Sequence, residues 1–389
     1  MTDAIVITAA RRTAIGAFQG QFARVPAPDL GAAAIRAAVA DSGLAGDDVS
    51  EVLMGCVLPA GQGQAPARQA ALGADLPTSV GCTTVNKVCG SGMKTVMLGH
   101  DALVAGSAEI IVAGGMESMT NAPYLVPRNL RMGHQQLDDH MFLDGLQSPF
   151  DGKMMGQFGE MCADKYGFSR ADQDAFARAS VERALAAIAG GAFDAEIAPL
   201  TVRTRKGEVE IATDEEPARI DIAKIPALRP AFAKDGTITA ASSSKISDGG
   251  AATVLMTERT AEARGLQPLA RIVAHATHSQ QPEWFTTAPV GALKKVLERA
   301  GWQASDVDLF EVNEAFAAVS MAAMKDLDLP HERLNVHGGA CALGHPIGCS
   351  GARIVVTLIH ALRTSGGSRG VASLCLGGGE ATAVAVELI

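Results

Sequence analysis

The chain has 389 residues, 48% of them hydrophobic and 19% charged, with a formal net charge of −9 at pH 7. Such a length and apolar content suit a compact globular protein with two or three sizeable cores. The acidic balance excludes a general nucleic-acid binder, which needs a basic face to neutralise phosphates. No run of about 18 apolar residues occurs, so no membrane span is expected. The N-terminus reads directly into a strand and resembles no targeting segment, so a cytoplasmic protein is expected.

The predicted elements alternate through the first third of the chain. Residues 3–9 read as a strand, 30–39 as a helix ending near Gly43, 52–57 as a second strand and 65–72 as a helix. A buried strand is expected at 80–85. A glycine-flanked turn, Cys89-Gly90-Ser91-Gly92, then opens onto the apolar stretch Met93, Val96, Met97, Leu98 and Leu103. Residues 109–113 form a strand that closes on Gly114-Gly115. Strands and helices of these lengths imply a largely parallel sheet.

From about 120 to 240 the rhythm stops, and clear periodicity is confined to a helix at 170–190, with Ser169 as its capping residue. A hundred-odd residues inserted between α/β halves suit a lid or binding subdomain. The rhythm resumes after Gly249. An internal echo then appears: Cys349-Ser350-Gly351 leads into a helix at 352–362, a turn at Gly366-Gly367-Ser368, a strand at 371–374 and Gly377-Gly378-Gly379. The Cys89 segment runs through the same order at nearly the same lengths. Duplication of one βα module explains this economically, and chance similarity of Gly-rich turns is the competing reading. Under duplication, two pseudo-equivalent helices face each other and bring the Cys89 and His345 regions together.

The seven cysteines, at 56, 82, 89, 162, 341, 349 and 375, are scattered, odd in number and without a Cys-x-x-Cys pair, so neither a zinc site nor a disulfide framework is expected. The nine histidines show no metal-ligand spacing, and no catalytic metal is expected. Cys89 has two readings. At a helix N-terminus, free N–H groups and the helix dipole favour thiolate over thiol, as a nucleophile requires. Most buried cysteines are inert small hydrophobes, however. His345, in Gly-His-Pro, is likewise a base or a turn histidine; Cys375 is a second reactive thiol or a core residue; Asn313-Glu314 is a site pair or a helix N-cap with its first-turn acid.

Taken together, Val6 to Thr13, Asn86-Lys87-Val88-Cys89-Gly90-Ser91-Gly92, Gly114-Gly115-Met116-Glu117-Ser118-Met119, Asn313-Glu314-Ala315-Phe316, Gly338-Gly339-Ala340 with Gly344-His345-Pro346-Ile347-Gly348, and Cys375-Leu376-Gly377-Gly378-Gly379 resemble the thiolase family, acetyl-CoA acetyltransferases in particular. The resemblance spans essentially the whole chain. It implies an α/β fold of duplicated βα halves in a layered αβαβα core with an inserted loop domain. The halves would be residues 1–119, completed by about 241–265, and 266–389, with the insertion at 120–240. It also implies an acyltransferase that interconverts two acetyl-CoA with acetoacetyl-CoA and CoA, with coenzyme A as substrate and product and no cofactor.

In that reading Cys89 carries the acyl group and His345 lowers its pKa and takes its proton. Cys375 exchanges a proton with the substrate α-carbon, and Asn313 orients a water that joins His345 at the thioester oxygen. The N–H groups of Cys89 and Gly377 bind the acyl oxygen. Ser244 hydrogen-bonds pantetheine, Leu146, Ala315 and Phe316 line its tunnel, and Arg219 lies near the adenine and phosphates. Several positions depart from the commonest family forms: Met154-Met155-Gly156 for His-Met-Gly, then Gln157-Phe158, the loop Ala241-Ser242-Ser243-Ser244-Lys245, Phe285 for Met and His337 for Asn. Met154, Met155 and Phe158 bear on acyl-chain length, Phe158 either accommodating or shortening the pocket. A broader-chain 3-ketoacyl-CoA thiolase, a related synthase and a non-catalytic lipid-binding member are the alternatives. Residues 121–146 resemble the family's tetramerisation region, so a homotetramer, or else a dimer, is expected. Cys89 and Cys375 are also expected to be joinable by mild oxidation.

Overall fold

The computed structural model describes residues 3–389 apart from Leu130 and Lys206, the latter one of the cations in a mixed charge run. Its main sheet has two consecutive runs. Gly81–Val85, Glu51–Gly55, Ile110–Ser118, Ser247–Thr257 and Ile5–Arg12 lie side by side, followed by Ala270–Ser279, Glu380–Leu388, Arg369–Leu376 and Leu309–Val312. The runs are joined by three residue pairs, Ile5 to Ile7 against Ile272 to Ala270. Adding the single bridge from Leu334 to Phe310 gives the second run the strand order and directions of the first. The echo in the sequence is therefore an architectural repeat.

Among the described residues only three strand-to-strand pairings, single bridges aside, are parallel, Glu51–Gly55 with each neighbour and Leu309–Val312 with Arg369–Leu376. The sheet is thus mixed, correcting the largely parallel expectation. The outgoing strand of each half returns antiparallel, through the insertion in the first half and through the Gly377 to Gly379 turn in the second. Gly81–Val85 is also not buried, because it lies at the sheet edge with Gly81 and Thr83 exposed.

Helices Ala27–Ser42 and Pro66–Gly73 cover the outer face of the first half, and Ala288–Ala300 and Ala317–Leu327 that of the second. Between the sheets lie Ser91–Val104 and Ser350–Ser365, whose side chains merge with both into one core containing Met93, Val96, Ile354, Val355 and Leu358. Ser350–Ser365 is buried through thirteen consecutive residues, Ser350 to Leu362, as a helix in a middle layer must be.

The two middle helices meet at their N-terminal ends through glycine. A Cβ on Gly92 would lie 2.8 Å from the Ala352 nitrogen, and one on Gly351 would overlap the backbone of Met93. The strand expected to close at Gly114-Gly115 instead runs on to Ser118, since those glycines admit neighbouring backbone rather than make a turn. A Cβ on Gly115 would overlap the carbonyl of Gly348.

The insertion contains Met155–Tyr166, Arg170–Ala189 and a hairpin of Leu200–Thr204 with Gly207–Ile211. Ser169 accepts a hydrogen bond from the Asp172 N–H and its own N–H donates to the Asp172 carboxylate, a reciprocal cap. The insertion is locked to the first strand by buried Arg12, which donates to Glu196 at 2.5 Å and to both Asp214 oxygens at 2.7 and 2.9 Å.

Gly351→Ala is expected to destabilise the protein by about 3 kcal/mol through overpacking. Gly106→Ala, at φ 71° with nothing within 4 Å, should cost only the left-handed strain of about 1 kcal/mol. Thermal denaturation of the two variants decides; equal shifts would contradict the close helix contact.

Candidate active site

Cys89 lies on a strained turn just ahead of its helix. Val88 has φ 46°, a conformation a β-branched residue rarely adopts. The turn is held locally: Val88 N–H donates to Asn86 Oδ1 at 2.9 Å, Lys87 N–H to Ser91 Oγ at 2.8 Å, and Ser91 Oγ to the Val88 carbonyl at 2.6 Å. It is also clipped to the Gly377 to Gly379 turn, because Lys87 pairs with Glu380, which in turn accepts from Ser279 Oγ at 2.7 Å. Gly90 has no room for a side chain against Leu376, so the Cys89 turn sits directly on the strand end that carries Cys375.

The sulfur of Cys89 is reached by the backbone N–H groups of Gly377 and of Cys89 itself. Burial nevertheless outweighs them and pushes the thiol up to about 11. The expected depression is thus absent in the resting state: among the described residues no cation offsets the burial of the sulfur, and the charge of Glu117 raises its pKa further. His345 explains the missing partner. Burial, reinforced by the charge of Arg353, pushes its imidazole down to about 3, so it is neutral at ordinary pH.

Its tautomer follows from the local network. Ser350 Oγ donates to the Pro346 carbonyl at 3.0 Å and lies 2.6 Å from His345 Nδ1, so Nδ1–H donates to Ser350 and Nε2 keeps a lone pair. Nε2 is buried without a protein partner, as is Asn313 Oδ1, while Asn313 Nδ2 lies 3.5 Å from His345 Nδ1. Cys375 is buried, and desolvation and the nearby Cys89 hold its thiol well above the ordinary value. Both thiols are free.

Sequence reasoning missed the carboxylates beneath these groups. Glu117 is fully buried and accepts from the N–H groups of Val57 and Gly348, each at 2.9 Å, and of Leu58 at 3.2 Å. It thereby ties the loop after His345 to the first half. Its place in Gly-Gly-Met-Glu, at the end of a buried strand, was the available signal. Glu314 caps no helix; the helix begins at Ala317, with Phe316 before it. It accepts instead from Ser180 Oγ at 2.7 Å, Asn335 Nδ2 at 2.9 Å and Cys341 N–H at 3.0 Å, anchoring the loop that leads to His345.

A cleft of about 190 Å³, open at its mouth, ends on His345. It is lined by Leu146, Met154, Met155, Ser244 and Phe316, all anticipated, and by Met119, Phe142, Gly156, Phe232, Ser243, Lys245, Ile246 and Ile347. Ala315 and Phe285 are not in its wall. They lie behind it in a buried cluster with Phe158, Phe316 and Cys375, where Phe158 meets Phe285 edge-on at 6.0 Å between ring centres. Phe158 therefore backs the cleft rather than shortening it. Arg219 is also outside the wall, exposed and paired with Glu215 at 3.3 Å. His337 packs against Phe193, 5.7 Å between ring centres, away from the cleft.

Sequence models of the thiolase N-terminal and C-terminal domains match residues 5–259 and 266–388. The chain belongs to the thiolase family. It is 49% identical over 385 residues to an acetyl-CoA acetyltransferase of Pseudomonas aeruginosa, covering 98% of each chain, and 45% identical to that of Schizosaccharomyces pombe, covering 99% of each. The crystal structure of the Bacillus anthracis acetyl-CoA acetyltransferase superposes with a TM-score of 0.97 at 40% identity, covering 100% of this chain and 99% of that one. The Acat5 thiolase of Ascaris suum, solved in complex with coenzyme A, gives 0.95 at 41% identity, covering 99% of this chain and 100% of its own. This thiolase is an acyltransferase enzyme of the layered α/β fold.

Burial raises Glu117 to about 7 from an ordinary 4.5. The folded thiolase binds this proton more tightly than the unfolded chain does, so the stabilisation is complete below about 4.5 and is lost as pH rises through about 7. The stability of wild type relative to Glu117→Gln, which stays neutral, should therefore fall across that window, by roughly 1.4 kcal/mol for each pH unit crossed. Denaturant midpoints across the range test this, and a constant difference would contradict it.

Proposed function

We propose that this thiolase is an acetyl-CoA C-acetyltransferase acting through acetyl-Cys89. The observation that carries the reading is a neutral imidazole with a bare Nε2 at the end of one apolar cleft, whose wall residues pack with two thiols, Leu146 and Ile347 with Cys89 and Phe316 with Cys375.

In the cleavage direction, the Cys89 proton passes to His345 Nε2 and the sulfur attacks the 3-keto carbon of acetoacetyl-CoA. The N–H groups of Cys89 and Gly377 take the developing oxyanion. The C2–C3 bond breaks, its electron pair remains on C2, and Cys375 supplies the proton that completes acetyl-CoA. Asn313 and His345 hold the thioester oxygen through a water while the enolate exists. Incoming CoA then gives its thiol proton to the Cys375 thiolate and attacks acetyl-Cys89. Cys89 leaves and recovers its proton from His345. Condensation is the reverse sequence.

Neutral resting groups suit this role, since charge separates only when substrate replaces the water-poor surroundings. Coenzyme A is substrate and product, and the chemistry calls for no metal or cofactor. Ser244, Leu146, Met154, Met155 and Phe316 hold the pantetheine arm in the cleft, while Ala315 and Phe285 support its wall and Arg219 serves the nucleotide end.

The exposed Tyr124, Val126, Met132 and Leu137, all within 121–146, support association into a homotetramer through that segment. Seven free thiols suit a reducing, cytoplasmic setting. Among the described residues no helix is long and apolar enough to cross a membrane.

Thiolysis rates across a series of 3-ketoacyl-CoA lengths test the substrate assignment. The four-carbon substrate is expected to exceed long-chain ones in kcat/KM by about tenfold or more, the discrimination a bounded apolar pocket achieves over a few methylenes. Equal rates on long chains would instead identify a broad-range degradative thiolase.

A further inference from the structure

Among the described residues Lys245 is the one cationic side chain in the wall of the cleft, whose other lining residues are apolar or uncharged. Its backbone carbonyl accepts from the His345 N–H at 2.9 Å, so its position along the chain is fixed by the active-site loop. Its side chain folds back over its own loop. Nζ donates to the Ala240 carbonyl at 2.6 Å and to the Ser243 carbonyl at 2.8 Å. Among the described residues no carboxylate pairs with it. Glu216, Glu314 and the Cys341 thiol influence it only from further away, and burial lowers its pKa.

An ammonium has three N–H donors, and two are spent on carbonyls that fix its direction. The third is available, on a charge that nothing nearby neutralises. Such a group in a ligand cleft gains most from an anionic oxygen acceptor. Ala240 is exposed and Lys245 itself half-buried, so the side chain runs from the cleft wall beside His345 toward the surface, with its ammonium still largely desolvated. On the same rim Arg219 acts on Glu216, as Lys245 does. Glu216 opposes an anion there, but burial raises its pKa and favours its neutral form.

We propose that the third N–H of Lys245 forms a phosphate-binding subsite at the mouth of the cleft, which takes the diphosphate of the coenzyme A arm. The proposal rests on the acyl-CoA reading above and deepens it. With the thioester end of the substrate at Cys89 and His345, an arm that follows the cleft wall along Ser244 and Ser243 brings its anionic end to the Lys245 ammonium. The ammonium then acts as a distant anchor: it sets affinity without touching the reacting atoms.

The test compares KM for acetyl-CoA with KM for acetyl-pantetheine, which keeps the thioester and arm but lacks every phosphate. In Lys245→Met, KM for acetyl-CoA should rise about tenfold, the loss of one charge-assisted hydrogen bond. KM for acetyl-pantetheine should change less than twofold. Equal losses with both substrates would overturn the proposal, since they would show that Lys245 merely supports the loop below His345. No change with either would also overturn it, and a selective loss with acyl-CoAs bearing a terminal carboxylate would show that Lys245 reads the acyl tail instead. If wild type fails to turn over acetyl-CoA, the functional reading fails separately. Calorimetric titration with coenzyme A alone then decides the subsite, with about tenfold weaker binding by the variant expected and equal binding contradicting it.

Discussion

The structure depends on one close contact, the crossing of two buried helices at Gly92 and Gly351. Because neither residue has a side chain, the N-terminal ends of Ser91–Val104 and Ser350–Ser365 approach to backbone distance between the two sheets. Each half contributes one end, and each end carries one of the candidate catalytic groups. Cys89 precedes the first helix; His345 precedes the second and is tied to it through Ser350. Gly115 extends the same logic by admitting the Gly348 carbonyl against a central strand. Duplication of a βα module therefore does more than enlarge the core: it creates a shared seam where Cys89 packs in one cluster with Ile347, two residues beyond His345 and far from Cys89 in sequence.

Around that seam, desolvation rather than ion pairing sets the protonation states. Cys89 and Cys375 are held as thiols and His345 as a neutral imidazole, all for the same cause. A fully buried Arg353, 3.7 Å from Glu311, lies one turn beyond Ser350 and adds its charge to burial in lowering the pKa of His345. Carboxylates do the mechanical work. Glu117 and Glu314 each collect several donors and pin the loops on either side of His345, so its orientation is fixed from both halves. The strain at Val88 is maintained in the same way, by the Asn86 and Ser91 hydrogen bonds and by the Lys87 to Glu380 pair across the two turns.

Much of this was legible in the sequence because it is local or repeated. The helix before Gly43, the Ser169 cap and the paired Cys-Gly segments follow from spacing and turn chemistry. The motifs around Cys89, Asn313, His345 and Cys375 supplied the candidate site residues. What was not legible depended on tertiary approach. Gly114-Gly115 look like a turn and are mid-strand, since their purpose is contact with another segment. Sheet direction depends on where long connections return, which periodicity does not encode. The pKa of Cys89 was misread because a helix end was visible in sequence and the depth of burial was not. Glu117, Glu314 and Lys245 resembled ordinary charged residues until their surroundings were known. Phe158 read as a pocket residue, yet the helix Met155–Tyr166 turns it behind the wall.

Cys89 is the residue proposed to carry the acyl group, and His345 Nε2 the atom proposed to free its sulfur. Incubation with acetyl-CoA alone, followed by rapid quenching and peptide mass spectrometry, tests both directly. Acetyl groups should accumulate on Cys89 in wild type and in Cys375→Ala, and should form on the same residue at least about a hundredfold more slowly in His345→Ala, the usual contribution of a positioned general base. Label on Cys349, Cys56 or Cys375 in place of Cys89, or unchanged labelling kinetics without His345, would contradict it.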